Sequence, residues 1–233
     1  PPIYALKDYE LFKGYLHSKQ LYWSYGTQKG RDTALWQQTI ATKQWPDFIE
    51  SIALAGFKGL YIDRRGYADY GSSLVQKMAA LLMEEPLESR DGKLVFFNLE
   101  KYQRFLASRY STQEFEQRRE SALYPVLVKW GKGFYSIEES DGKNWRWGAD
   151  TGILYLCNFS RTTKQVTLHM TISSGYAEPA ILTINSDLLN RKLNINNEGK
   201  IFLETMNVPP GKHKISFHCN ANRVMAPGDN RVL

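Results

Sequence analysis

The hydrophobic pattern of the chain changes near Tyr124-Pro125, and this change limits the folds that the chain can adopt. Before it, apolar residues recur at the three- and four-residue spacing of amphipathic helices, with short apolar runs between them. After it, short runs alternate apolar with polar residues, and turns such as Ser140-Asp-Gly142 separate them. The sequence therefore predicts a two-domain α+β protein. A small α/β domain covers residues 1–124, and an antiparallel β-sandwich covers residues 125–233.

In the first domain, predicted strands and helices alternate along the chain. Asp91-Gly92 predicts the turn of a hairpin, and Pro46 predicts a helix start after a break. This order favours parallel strands joined by right-handed crossovers. The predicted strands cover residues 21–25, 57–62, 87–90 and 93–98, and the predicted helices cover residues 33–55, 72–84 and 99–121.

In the second domain, the alternating runs predict seven strands without helices. Their regular spacing is typical of a sandwich, in which each strand buries every second side chain. These strands cover residues 126–130, 134–138, 153–159, 165–172, 180–185, 200–208 and 212–219.

The aromatic composition fits either a carbohydrate-facing protein or a β-sandwich whose core is filled by aromatic rings, and the charge pattern argues against nucleic-acid binding. Aromatic residues make up 13% of the chain, with 14 Tyr and 6 Trp, and their flat faces with polar edges suit sugar rings. The net charge is +6, but Lys and Arg are spread along the chain with clusters no larger than pairs. Because nucleic-acid binding usually needs clustered positive charge, we expect no nucleic-acid partner.

The chain has two cysteines, Cys157 and Cys219, and each lies in an alternating apolar run. In each run the cysteine occupies the same alternate positions as the bulky apolar residues, which predicts that both cysteines point inward. A disulfide and a pair of buried thiols are both open interpretations. No Cys or His has the close spacing of metal ligands, so we expect neither a metal nor a cofactor.

No apolar stretch approaches the roughly 20 residues needed to span a bilayer, and no signal peptide opens the chain. The sequence starts abruptly at Pro1-Pro2 and stops at Arg231-Val-Leu233. We therefore expect a fragment of a larger protein.

Asp63-Arg64-Arg65 follows a predicted strand directly, where ligands of open α/β sheets bind. Either arginine could hold a phosphate or carboxylate, and Asp63 could accept from a sugar hydroxyl. The alternative is an ion-paired strand end. Asp69, a few residues on, is either a loop residue that caps turn amides or a second acidic group.

Aromatic residues and arginines also gather in two other segments. Trp23 and Tyr25 precede Arg31 across a glycine-containing loop, and Trp145 and Trp147 flank Arg146. On an extended segment both indoles of the second group share one face, where they could stack on a sugar or cover one end of the sandwich. Asn158-Phe-Ser160 matches the glycosylation sequon.

Several motifs resemble the extramembrane C-terminal region of bacterial multi-pass glycosyltransferases of the GT-C type, often labelled sugar translocases or phosphoglycerol transferases. The resemblance spans nearly the whole chain and is most specific in the first hundred residues. The motifs that carry it include Leu21-Tyr-Trp-Ser-Tyr-Gly26, Lys29-Gly-Arg31, Gly56-Phe-Lys-Gly-Leu-Tyr-Ile-Asp-Arg-Arg-Gly-Tyr67, Ser89-Arg-Asp-Gly92, Phe96-Phe-Asn-Leu99, Pro209-Pro-Gly211 and Ala226-Pro-Gly-Asp-Asn-Arg231.

The resemblance implies a non-catalytic region on the periplasmic face of the bacterial inner membrane, attached to a transmembrane core. Its sandwich, residues 125–233, would be similar to a carbohydrate-binding module. That core would hold the catalytic carboxylates, so we assign no catalytic residue here. An acceptor glycan or a phospholipid headgroup would be the ligand, and an oxidising periplasm would favour the disulfide. Two alternatives are a soluble carbohydrate-active hydrolase or transferase that uses Asp63 and Asp69, and a purely structural extracytoplasmic domain.

Overall fold

The computed structural model describes residue 6 and residues 10–24, 31–175 and 177–221. Over these residues the chain forms helices and antiparallel sheets, which is an α+β fold. The chain divides into two compact units, Pro1–Leu123 (unit 1) and Tyr124–Leu233 (unit 2). Each unit has a hydrophobic core of its own.

Unit 1 combines α-helices with a small three-stranded sheet of order β1-β3-β2. Two short 3-10 turns, Glu10–Phe12 and Arg64–Gly66, precede α1 and follow β1. The helices are α1 (Lys13–His17), α2 (Asp32–Ala41), α3 (Trp45–Leu54), α4 (Ser72–Leu82), α5 (Glu100–Arg109) and α6 (Thr112–Leu123), and the strands are β1 (Gly59–Asp63), β2 (Leu87–Glu88) and β3 (Leu94–Asn98).

The predicted parallel strands are wrong. β1 pairs antiparallel with β3, and β3 pairs antiparallel with β2. α4 carries the chain back along the sheet, and the β2–β3 hairpin then places β3 beside β1. Residues 21–24 form no strand, and the side chains of Leu21 and Tyr22 are exposed.

The core of unit 1 lies between the sheet and the helices α3 and α4. α3 has Pro46 in its first turn, and Gly56, with a φ of 96°, follows its end. Ile49 of α3, Met78 of α4 and Phe97 of β3 are completely buried in this core. This packing fixes the position of β1, whose last residue is Asp63.

Unit 2 consists of strands, all paired antiparallel. They form a five-stranded sheet of order β10-β9-β12-β7-β4, a two-stranded ribbon of β11 and β8, and a β5–β6 hairpin. The strands are β4 (Leu127–Trp130), β5 (Glu138–Ser140), β6 (Lys143–Trp145), β7 (Thr151–Asn158), β8 (Lys164–Ile172), β9 (Ala180–Asn185), β10 (Asn190–Ile195), β11 (Lys200–Val208) and β12 (Gly211–Cys219).

One face of the five-stranded sheet shares a hydrophobic core with the ribbon. Leu154, Ile184 and Ile215 of the sheet are fully buried, together with Phe202 and Met206 of the ribbon. Burial alternates along β9, as the two-residue period of a strand requires. The other face of the sheet, which we call the outer face, carries the alternate residues.

Of the two open interpretations of the cysteines, the structure has the thiols, because neither cysteine is in a disulfide. Leu154 and Leu156 of β7 point into the core, so Cys157 belongs to the outer face, whereas Cys219 packs against the core. Cys157 lies opposite Lys212, seven positions before Cys219 on β12. Strand geometry then separates the two cysteines by roughly 20 Å, beyond the reach of a disulfide.

Candidate functional site

Aromatic packing fixes the segment between β4 and β7 to one end of the five-stranded sheet. The Phe134 ring makes edge-to-face contacts with Trp130 at 4.7 Å and Phe217 at 5.6 Å between centroids. Gly152, opposite Phe217 in the register, leaves room for this ring, since a Cβ there would lie 2.7 Å from it. The β5–β6 hairpin is therefore attached to a rigid part of unit 2.

This hairpin carries Trp145, Trp147 and Glu138 on one face, which we call the aromatic face. Glu138 lies directly opposite Trp145 in the register, and such cross-strand pairs point to the same side. Trp147 Nε1 donates to Glu138 Oε2 at 3.1 Å, so its indole lies on that side too. The side chain of Trp145 is 38% exposed.

Arg146 lies on the other side of the hairpin from the two indoles. Its guanidinium carbon is 5.2 Å from the centroid of the Trp130 ring, and its Nη1 donates to the Tyr135 carbonyl at 2.8 Å. Burial lowers the pKa of Arg146 from its ordinary value. Arg146 therefore supports the hairpin from behind.

The aromatic face has the chemistry of a sugar-binding surface. An exposed indole offers an apolar plane to the C–H groups of a pyranose, and a neighbouring carboxylate can accept hydrogen bonds from its hydroxyls. Trp147 and Glu138 already hold each other, which reduces the side-chain entropy lost when a ligand binds.

At the end of β1 in unit 1, the predicted residues Asp63 and Arg65 form an ion-paired cluster with Glu10. The Asp63 side chain is 1% exposed and accepts from Arg65 Nε at 3.0 Å and Nη2 at 2.6 Å. Glu10 Oε2 lies 2.9 Å from the same Nη2. The hydrogen bond with Asp63 raises the pKa of Arg65 above its ordinary value, and two carboxylates neutralise its charge.

Trp23 joins this cluster through Tyr61, which lies two residues before Asp63 on β1. The two rings meet edge to face at 5.6 Å between centroids. Burial and, next, the charge of Asp63 raise the pKa of the Tyr61 hydroxyl. The buried Trp23 Nε1 has no hydrogen-bond acceptor among the residues that the structure describes.

Arg64 points away from this cluster toward β2. Its Nη2 lies 3.3 Å from Glu88 Oε1, and its guanidinium carbon is 6.0 Å from the centroid of the Tyr70 ring. Arg64 and Arg65, adjacent in sequence, thus take different carboxylate partners.

The remaining predicted ligand residues lie apart from these groups. Asp69 accepts from the backbone amides of Gly71 and Ser73 at 3.0 Å, and hydrogen bonding to Ser73 holds its pKa below the ordinary value. Arg31 is exposed, and its carbonyl accepts the first backbone hydrogen bonds of α2. Tyr25 lies outside the described residues.

Sequence analysis missed a polar cleft between α3 and α6. The cleft has a volume of about 610 Å³. Arg118 Nη1 is 2.9 Å from Glu50 Oε1 at its wall, and Lys43 Nζ donates to Ser51 Oγ at 2.8 Å. Its residues come from the polar faces of two helices and form no motif, so only helix packing reveals it.

The sequon asparagine is a structural residue. Asn158 is 1% exposed, and its Nδ2 donates to the carbonyls of Thr162 at 2.9 Å and Val208 at 2.8 Å. Because both hydrogens of the amide are used inside the fold, the folded chain does not present this nitrogen for glycosylation.

Clusters of metal ligands and membrane-spanning helices are both absent from residues 10–24, 31–175 and 177–221. These residues contain no cluster of three or more His, Cys, Asp or Glu side chains that could hold a metal ion. None of the helices formed by these residues has both the length and the apolar character needed to cross a membrane.

No family model matches the chain, and no curated protein matches it. Two crystal structures of the capsular polysaccharide assembling protein CapF from Staphylococcus aureus are similar at 9% and 10% identity over 81% of this chain, each with a TM-score of 0.11. The chain covers 62% and 65% of those two CapF chains, which is less than two thirds of their length. A likeness of this size supports no argument about fold or function.

Proposed function

We propose that the chain is a non-catalytic, sugar-binding, periplasmic region of a bacterial membrane glycosyl- or phosphoglycerol-transferase. The observation that carries the sugar-binding part is the aromatic face, where an exposed Trp145 lies beside a Trp147 fixed by Glu138. The membrane context rests on the motif resemblance, which implies attachment to a transmembrane core.

Within this proposal, unit 2 is a β-sandwich similar to a carbohydrate-binding module. The shared core of the five-stranded sheet and the ribbon supports this, since each packs one face against the other. The ligand is an acceptor glycan that the transferase elongates or modifies.

A binding role accounts better for the acidic residues of unit 1 than hydrolysis by Asp63 and Asp69 does. Asp63 is paired with Arg65, and Asp69 caps backbone amides. A general acid at neutral pH needs a raised pKa, whereas the pKa of Asp69 is lowered.

The test is a titration of the chain with neutral oligosaccharides, namely cellohexaose, maltoheptaose, chitohexaose and mannohexaose, followed by NMR and tryptophan fluorescence. We expect at least one to bind and to shift the Trp145 and Trp147 indole signals. Trp145→Ala should weaken that binding by about tenfold or more, because the stacking plane is removed.

Trp45→Ala is a matched control, since Trp45 in unit 1 is also 38% exposed. It should leave the affinity unchanged. No binding by any of the four sugars, or equal losses in both variants, would overturn the sugar-binding role of the aromatic face.

A further inference from the structure

The outer face of the five-stranded sheet is strongly basic. Not one of the residues in β4, β7, β9, β10 and β12 is an Asp or Glu. Pairing register places the lysines of these strands on the face opposite the core: Lys129 is opposite Tyr155, which is opposite Lys214, and Lys212 is opposite Cys157.

A fourth lysine extends this face across the sheet. Lys192 lies opposite Thr183, which is opposite His218 on β12. The four lysines therefore occur from β10 at one edge to β4 at the other, a width of roughly 19 Å across five strands. Lys192, Lys212 and Lys214 are exposed.

Ion pairing distinguishes the lysines of the outer face from a neighbouring arginine. None of the four makes an ion pair with another residue in the described part of the chain. By contrast, Arg191 of the same sheet lies opposite Ile184, on the side of the sheet that carries the core. Its guanidinium donates to Glu204 Oε1 at 2.5 Å and to Oε2 at 3.0 Å. Among the described residues, a carboxylate is paired with this arginine and none is paired with the four lysines.

We propose that the outer face binds an acidic polysaccharide. Uncompensated positive charge on a flat surface attracts a chain with repeating carboxylates, and the surrounding side chains match its hydroxyls. These side chains are the polar groups of Thr151, Thr183, Asn185, Asn190, Asn194, Ser216 and His218.

A membrane surface and a nucleic acid fit this face less well. Binding within a bilayer interface uses exposed large apolar side chains, and Ile153 and Ile181 of this face are half-buried. Single-stranded nucleic acid stacks its bases on open aromatic rings, whereas Lys212 Nζ covers the Tyr155 ring at 3.9 Å from its centroid. Charge, hydroxyl and amide groups together favour the polysaccharide.

The inference is tested by isothermal titration calorimetry of the chain with polygalacturonate, and with dextran as a neutral polysaccharide. We expect polygalacturonate to bind more tightly than dextran, and its affinity, unlike that of dextran, to fall steeply between about 0.05 M and about 0.5 M NaCl as charges are screened. A triple variant, Lys192→Gln with Lys212→Gln and Lys214→Gln, should bind about tenfold more weakly or worse.

The matched control changes three lysines of unit 2 that are not in the five-stranded sheet, as Lys132→Gln, Lys143→Gln and Lys200→Gln. This control removes the same number of positive charges as the test variant. Because its three lysines are not on the outer face, it should keep most of the affinity if the outer face is the site. Equal losses in the two triple variants would show binding through net charge alone and overturn the proposal. Far-UV circular dichroism verifies that both variants are folded.

Phosphatidylglycerol vesicles and a single-stranded DNA oligonucleotide complete the set of probes. Tighter binding of either one than of polygalacturonate would overturn the choice of partner. The triple variant of the outer face should leave the binding of neutral oligosaccharides by the aromatic face unchanged, because the two surfaces use different residues. The failure of this inference and the failure of the aromatic face as a sugar site are therefore distinguishable.

Discussion

The two units use cationic side chains in opposite ways. In unit 1, Arg65 is held by Asp63 and Glu10, and Arg64 lies beside Glu88. In unit 2, the outer face of the sheet shows exposed lysines on strands that contain no acidic residue. The two arginines at the end of β1 are held by carboxylates of unit 1, whereas the lysines of the outer face make no ion pair within the described residues.

The difference shows that a basic residue at a strand is not by itself a sign of a binding site. Arg65 meets its carboxylate two residues away on the same strand end, where a ligand would have to displace Asp63 from a bidentate contact. A salt bridge of this kind is costly to break from one side. The environment of each charge decides its role, and substitutions can test this in both units.

The largest expected effect is that of Asp63→Asn in unit 1. The substitution keeps the shape of the side chain but leaves the half-buried guanidinium of Arg65 with only Glu10 as a charged partner. We expect the free energy of unfolding to fall by about 3 kcal/mol, measured by urea denaturation.

Glu116→Gln serves as the control, since Glu116 pairs with Arg119 at 3.6 Å and both side chains are more than half exposed. It should change the free energy of unfolding by less than about 0.5 kcal/mol. Similar small effects in both variants would mean that Asp63 and Arg65 do not stabilise unit 1 and would make this cluster a candidate ligand site again.

Gly152→Ala probes the support of the aromatic face in unit 2. The new Cβ would lie 2.7 Å from the Phe134 ring, which must then move away from Phe217. We expect a loss of about 2 kcal/mol in the free energy of unfolding and a change in tryptophan fluorescence as Trp130 and the hairpin shift. An unchanged fluorescence spectrum would contradict the role of Phe134 in positioning the aromatic face.

Much of the secondary structure could be predicted because it depends on local patterns. The helix start at Pro46 and the hairpin at Asp91-Gly92 follow from backbone preferences of single residues, and the structure has both. The break between α5 and α6 also had a local signal. Ser111 Oγ accepts from the Glu114 amide at 3.3 Å, and Glu114 Oε2 accepts from the Ser111 amide at 3.0 Å, which is a capping box.

Strand direction and the roles of the strand faces could not be predicted, because they depend on contacts between distant residues. Cys157 was predicted to face inward because it alternates along β7 with the bulky residues Ile153 and Tyr155. The structure instead places the intervening residues, Leu154 and Leu156, in the core. β10 escaped prediction because a polar edge strand has few apolar residues. The outer face was likewise hidden, since its lysines come from three separate strands and meet only through pairing.

The pH dependence of stability tests the ion pair between Arg191 and Glu204 in unit 2, a kind of contact that the four lysines of the outer face do not make within the described residues. The hydrogen bond from Arg191 lowers the pKa of Glu204 below its ordinary value of 4.5. The stabilisation is therefore present above pH 4.5 and is lost as the pH falls through the lowered pKa. We expect thermal unfolding to show a smaller acid-induced loss in Glu204→Gln than in the unmodified chain, and equal losses would contradict the coupling.

The smallest expected change in the free energy of unfolding is that of Lys214→Gln. Its sign distinguishes a lysine that folding does not need from one that pairs with a carboxylate. Lys212 and Lys214 are two residues apart on one strand and point to the same face, so their charges repel each other. Removing one should raise the free energy of unfolding by about 0.3 kcal/mol at low salt, and the gain should vanish at high salt. Lys101→Gln in unit 1 should act in the opposite direction, because Lys101 Nζ lies 3.1 Å from Glu84 Oε2. A surface on which substitution of a lysine increases stability carries charge that folding does not need, as expected for a binding face. A loss of stability in Lys214→Gln would instead show that the lysines of the outer face have a structural role.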